Sequence, residues 1–146
     1  MEKILSKIKK SGDLKYISHI PHKFLDEPRL KNFLLSREEE KNKKLKLKSM
    51  PYHFVIEPTN ACNLRCPLCS TGLELSERKK GIIKIDKFEK IINSIKESAI
   101  AIYLQNWGEA TIAKQLPEMI KICSDNNIYT HLSTNFSILY KQNFLE

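Results

Sequence analysis

The sequence predicts an α/β fold built on a parallel sheet. Three apolar runs rich in β-branched and aromatic residues, 52–56, 100–105 and 128–132, alternate with stretches of helical period. This strand–helix order is the βα repeat, whose right-handed crossovers lay successive strands parallel in one sheet. A third observation points the same way. A cysteine cluster, an Asn106-Trp107-Gly108-Glu109 segment and a Ser133-Thr134-Asn135 segment each follow the end of one run. In parallel α/β folds, that end of the sheet is where ligands bind.

Composition bounds the possibilities. The chain has 146 residues, 41% of them hydrophobic, which is one domain's worth of core or part of a larger one. The longest purely apolar run, 99–104, is far shorter than a bilayer-spanning helix needs. The first residues lack the apolar stretch and cleavage site of a signal peptide, so the thiols are expected in a reducing cytoplasm. Of the net charge of +8, residues 1–50 carry +7 and residues 51–146 only +1. A lysine-rich segment can meet nucleic acid or acidic surfaces. A solvated helix face is the expected reading here, and nucleic-acid binding is not expected.

Residues 1–50 read as a basic, mainly helical extension that packs beside the core in 51–146. Ile4, Leu5 and Ile8 among lysines predict an amphipathic helix over 1–10, stopped by Ser11-Gly12-Asp13. Pro28 opens a second helix with Leu30, Phe33 and Leu34 on one face and a charged tail over 37–44. The run 52–56, between Pro51 and Pro58, predicts a buried strand, followed by the loop 57–72 and an exposed charged stretch over 74–81. Asp86 and Glu89, ahead of Phe88, Ile91, Ile92 and Ile95, form a capping-box-like start for a helix that ends near Ser98. After the strand 100–105, Pro117 opens a helix with Ile120 and Cys123 inside and Asn126-Asn127 closing it. The strand 128–132 follows, and a further helix is expected over 137–144.

The chemistry is expected in Cys62, Cys66 and Cys69, spaced C-x3-C-x2-C directly after the first strand. So short a loop can aim three thiolates at one point, but it supplies three ligands. A closed zinc site or an ordinary cubane cluster takes four. Three thiolates around a four-iron cubane would leave one iron open to a substrate or cofactor. The spacing by itself also allows a zinc or iron–sulfur module for binding or electron transfer, completed by a fourth ligand from elsewhere, or three core cysteines. Cys123 reads as core, and His53 and His131 as satisfied core histidines. His19 and His22 have no metal-site spacing, and Arg65 is expected in solvent.

The cysteine loop resembles that of the radical S-adenosylmethionine (radical SAM) superfamily. The resemblance extends to Gly108-Glu109, which looks like the family's Gly-Gly-Glu motif, and to Ser133-Thr134-Asn135, which is similar to its Ser/Thr-Asn segment. It implies that Cys62, Cys66 and Cys69 hold a [4Fe-4S] cluster whose open iron chelates S-adenosylmethionine. It further implies reductive cleavage of that cofactor to a 5′-deoxyadenosyl radical, with an electron donor such as a flavodoxin or ferredoxin and hydrogen abstraction from an unknown substrate. Gly108, Glu109, Ser133, Thr134, Asn135 and the backbone of Leu68, beside the adenine, are the implied cofactor contacts. Trp107 stands where the family commonly has a first Gly, Leu68 where an aromatic is frequent, and Ala110 where Pro is frequent. The segments 57–60 and 105–109 look most like the branch with a C-terminal SPASM or twitch extension. The family's partial (βα)6 TIM-like barrel implies that this chain holds the N-terminal half, truncated after three βα units and inactive alone.

Overall fold

A computed structural model describes residues 1–75 and 77–138. In chain order, the elements are α1 (Glu2–Lys10), α2 (Glu27–Lys41), β1 (His53–Val55), α3 (Ile85–Ile95), β2 (Ala101–Tyr103), α4 (Leu116–Asp125) and β3 (Tyr129–His131). The three strands form a parallel sheet in the order β1-β2-β3, with His53 opposite Ala101 and Ala101 opposite Tyr129. Each strand returns through a helix, α3 and then α4, as a parallel pairing requires.

Side-chain alternation gives the sheet two different faces. Phe54 and Ile102, continued by Ile56, Leu104 and Leu132, pack against Phe88 and Ile92 of α3 and Met119 and Cys123 of α4. A second core lies between the N-terminal segment and the sheet. Ile8, Ile17, Ile20, Leu25, Leu30 and Phe33 enclose Ile100 and Ala101, with Tyr52, Tyr103 and Tyr129 at the margin.

Arg29 links the two cores. Its helix is capped by Asp26, whose carboxylate accepts from the Arg29 N–H at 3.0 Å, so α2 begins at Glu27 with Pro28 in its first turn. The buried guanidinium donates to Lys96 O at 3.0 and 2.7 Å, to Asn126 O at 2.8 Å and to Asn127 O. Those carbonyls end α3 and α4, where helices leave acceptors unpaired and carry negative dipole ends. The planar fork of donors suits several carbonyls at once. The N-terminal segment is thereby tied to the end of the sheet opposite the cysteine loop.

Several expectations need correction. Arg37 and Glu39 are buried and are not part of a charged tail. Arg37 pairs with Asp13 at 3.2 Å and with Glu40, and lies 4.0 Å over the Tyr16 ring. Glu39 accepts from Lys48 N at 2.9 Å, Ser49 N at 3.1 Å and Ser49 Oγ at 2.7 Å. Burial is tolerated because each charge is compensated. The helix α3 starts after Lys84 without a side-chain cap, so Asp86 lies within its first turn, facing the positive dipole end, and no capping box forms. Strand β1 is not buried on both faces: Val55 is 64% exposed, because the N-terminal core on that face does not reach it. His53 and His131 are not satisfied core histidines. Both are half-buried, and His53 Nε2 and His131 Nδ1 are enclosed without a hydrogen-bond partner. Of the helix expected over 137–144, residues 137 and 138 form a turn and the rest lies outside the described residues. Among the described residues no helix is long and apolar enough to cross a membrane.

Candidate functional site

The chain leaving β1 forms a lobe closed at its base. Thr59 bridges Ile82 in antiparallel fashion, Ile83 N donates to Pro58 O at 2.9 Å, and Thr59 Oγ1 donates to Gly81 O at 2.8 Å. The Asn60 amide adds bonds to Lys79 O at 3.0 Å and from Gly81 N at 2.8 Å. Within the lobe, turns run from Cys66 O to Cys69 N at 3.2 Å and from Cys69 O to Leu73 N at 2.9 Å. Several backbone donors and acceptors are thereby paired inside the loop itself.

The lobe is pressed against the end of β2. Glu109 N donates to Ala61 O at 2.8 Å, Trp107 N donates to Glu57 at 3.2 Å, and Thr71 Oγ1 donates to Trp107 O. Gly108 permits this approach, since a Cβ there would lie 1.9 Å from Thr59 O. Gly72 plays the same part inside the lobe, where a Cβ would lie 2.5 Å from Cys66 O. Both glycines are needed for space, because backbone occupies the position a side chain would take.

Three strand ends thus converge on one cleft of about 510 Å³. Cys62, Cys66 and Cys69 line one wall, Gly108 and Glu109 a second, and Ser133, Thr134 and Asn135 a third. Leu68 is absent from this lining, and its side chain is 99% exposed. A smaller cavity of about 170 Å³, between Thr71, Arg78 and Trp107, contains no thiol. Arg65 is exposed and pairs with Glu74 at 3.3 Å.

Glu109, one of the implied cofactor contacts, has partners within the chain itself. It is 4% exposed, and its carboxylate is already engaged. Oε1 accepts from Thr111 N at 3.1 Å, Thr111 Oγ1 at 2.6 Å and Thr134 Oγ1 at 2.7 Å, and Oε2 accepts from Asn135 N at 2.8 Å. Burial works to raise its pKa, but these donors outweigh that effect and hold the carboxyl below the ordinary range. Glu109 therefore binds the end of β2 to the end of β3. Asn63, beside the first cysteine, closes the ring of contacts. It accepts from Asn135 Nδ2 at 3.0 Å and donates to Ser137 Oγ at 2.7 Å.

The donor set can be tested against a metal group. All three thiols are free, with Cys66 exposed and Cys62 and Cys69 half-buried. Leu64 N donates to Cys62 Sγ at 3.5 Å. The N–H groups of Gly72 and Thr71 hold the Cys69 thiol below its usual pKa, against a smaller opposing effect of burial. Such N–H···S contacts favour thiolate and tune iron–sulfur clusters. Among the described residues, no three His, Cys, Asp or Glu side chains are gathered closely enough to share one ion. A cubane places each cysteine on its own iron. Three free thiols lining one cleft, with Cys69 held towards thiolate, are a donor set that suits an iron–sulfur cluster.

Gly72, Asn63 and Glu57 carry this architecture and were not anticipated from sequence. Proximity to the cysteines is their only local signal; their partners lie far along the chain or in backbone packing.

Similarity to curated PqqA peptide cyclases supports a radical S-adenosylmethionine relationship. It is 31% identical over 97 residues to a PqqA peptide cyclase of Bradyrhizobium diazoefficiens, covering 66% of this chain and 25% of that protein. A PqqA peptide cyclase of Rhodopseudomonas palustris is 28% identical over 93 residues, covering 64% and 24%. One from Granulibacter bethesdensis is 32% identical over 89 residues, covering 61% and 24%. The chain spans about a quarter of the length of these curated relatives. No family model matches it.

Proposed function

We propose that this chain forms the cluster-bearing rim of a radical SAM enzyme, the N-terminal half of a partial (βα)6 barrel. Cys62, Cys66 and Cys69 would hold a [4Fe-4S] cluster, with S-adenosylmethionine at the iron they leave open. The cluster, when bound, supplies the single electron that cleaves the sulfonium cofactor. The observation that carries this reading is the convergence of all three thiols with Gly108 and Ser133–Asn135 residues on one cleft at three successive strand ends.

The chain's own residues orient and bind. Gly108 brings the β2 end against the cysteine lobe, and Glu109 locks Thr134 and Asn135 beside it. Glu109 acts as a positioning residue on this account, leaving backbone groups and the Ser133 hydroxyl to face the cofactor. The backbone of Leu68 is the contact we assign to adenine. N–H donors around Cys69 stabilise the thiolate form that iron binds. The relatives' name suggests a peptide substrate and, with cluster chemistry, a one-electron protein reductant such as a flavodoxin or ferredoxin. Further βα units from the rest of such an enzyme would complete the barrel and most substrate contacts.

The test is anaerobic reconstitution with iron and sulfide, followed by electron paramagnetic resonance with and without S-adenosylmethionine. About four irons per chain and a spectrum altered by the cofactor are expected. Stoichiometric zinc, or a cluster indifferent to the cofactor, would reject the proposal. Cys-to-Ala replacement at any of the three positions should abolish cluster loading.

A further inference from the structure

The segment between α2 and β1 carries features the cleft does not use. Residues 43–50 read Lys-Lys-Leu-Lys-Leu-Lys-Ser-Met. Leu45 is fully exposed, and Leu47 and Met50 are more than half exposed. This display is built into the fold. The buried Glu39 carboxylate holds the backbone at Lys48 and Ser49, and the Asn32 amide grips Met50 N and O, both at 2.9 Å. A single exposed leucine means little, but three large apolar side chains within six residues, held in position, form an unusual surface.

The charge is equally one-sided. No acidic residue occurs between 41 and 50, and Lys43, Lys44, Lys46 and Lys48 form no ion pair among the described residues. Lys41 reaches Asp13 at 2.7 Å and Ser11 O at 3.4 Å, which brings the lysine-rich end of α1 alongside.

We propose that this loop docks the protein on an anionic lipid bilayer surface. Leu45 and Leu47 enter the boundary below the headgroups while the lysines meet lipid phosphates. A second copy of the chain is disfavoured by like charge. A protein groove that took both leucines would bury the ammoniums between them, whereas at a bilayer the lysine stems reach back to the headgroups. The segment has neither arginine nor an aromatic ring, the side chains that fork onto phosphates and stack on bases. Because it leads into the start of β1 and the cysteine cleft lies beyond the strands' other ends, docking leaves the cleft clear.

Each lysine near an anionic surface adds roughly fivefold to partitioning, and each inserted leucine roughly tenfold or more. The test is co-sedimentation of the 146-residue chain with vesicles of equal parts phosphatidylcholine and phosphatidylglycerol. Binding is expected to the mixed vesicles and not to phosphatidylcholine alone. The double variant Leu45→Ser/Leu47→Ser should lower it about a hundredfold, and Lys44→Gln/Lys46→Gln roughly twenty-fivefold. Circular dichroism should be unchanged in both, since these side chains touch no core. A Leu45→Trp reporter should shift its emission to the blue on mixing. Retention in the supernatant, or binding indifferent to the leucines, overturns the proposal, as does leucine-dependent capture of polyglutamate without vesicle binding. None of these outcomes depends on the cluster.

Discussion

Gly108→Ala is the sharpest perturbation of the proposed site. The added Cβ would sit 1.9 Å from Thr59 O, 2.7 Å from Thr59 C and 2.9 Å from Ala61 O. Carbon and oxygen rest at about 3.3 Å or more even in close weak contacts, so the two backbones must part by more than about 1 Å. Every atom met is backbone, and no rotamer change relieves the clash. Parting breaks the 2.8 Å bond from Glu109 N to Ala61 O and loosens Trp107 N from Glu57. Overpacking costs about 1–3 kcal/mol and the lost hydrogen bond about 1 kcal/mol. The sum, about 2–4 kcal/mol, is a large share of an ordinary domain's stability of about 5–15 kcal/mol. Urea unfolding should show a midpoint lower by about 1–2 M at an unchanged slope. Iron content after reconstitution should fall further than the folded fraction, because the displaced segment is the root of the cysteine lobe. Gly81→Ala is the control, since its Cβ would meet nothing within 4 Å. Wild-type midpoint and iron content in Gly108→Ala would refute the reasoning.

Two further outcomes follow from burial and charge. At Asp13, burial raises the pKa, but hydrogen bonds from Lys41, Ser11 and Arg37 outweigh it and lower the carboxyl from 3.8 to about 2. A depressed folded pKa means its contribution is present above the unfolded value and lost as pH falls through the folded one. Thermal stability should therefore drop between about pH 4 and pH 2, and Asp13→Asn should flatten that limb; an unchanged slope counts against the Asp13–Arg37–Lys41 cluster as its source. Burial pushes the Cys123 thiol up to about 11, partly offset by Thr130. Iodoacetamide at mildly alkaline pH should modify three thiols in the native chain and the fourth only in denaturant, because the thiolate is the nucleophile. Four modified thiols in the native state would contradict the buried placement.

The strand–helix order was legible because it depends on local pattern. The runs at 52–56, 100–105 and 128–132 announce strands, and Phe88, Ile92 and Cys123 fall on buried faces as their spacing implies. The placement of the cysteines, Gly108 and Ser133–Asn135 residues at strand ends followed from that order. Charge was harder to read. Arg29, Arg37 and Glu39 look like ordinary surface residues of a charged helix, yet all three are buried. Their partners, the helix ends at Lys96 and Asn126, Asp13 and the backbone at Lys48, are distant in sequence or have no side-chain signature.

Sequence alone determined the three-thiol spacing, the parallel α/β order and the lysine surplus of the first fifty residues, because each is a property of neighbouring residues. Only the tertiary structure decided that Glu109 is a bracket between two strand ends, that Gly72 and Gly108 exist to admit backbone, and that Leu45 and Leu47 stand in solvent. Those outcomes depend on what another part of the chain brings to the same point in space, and no local pattern records that.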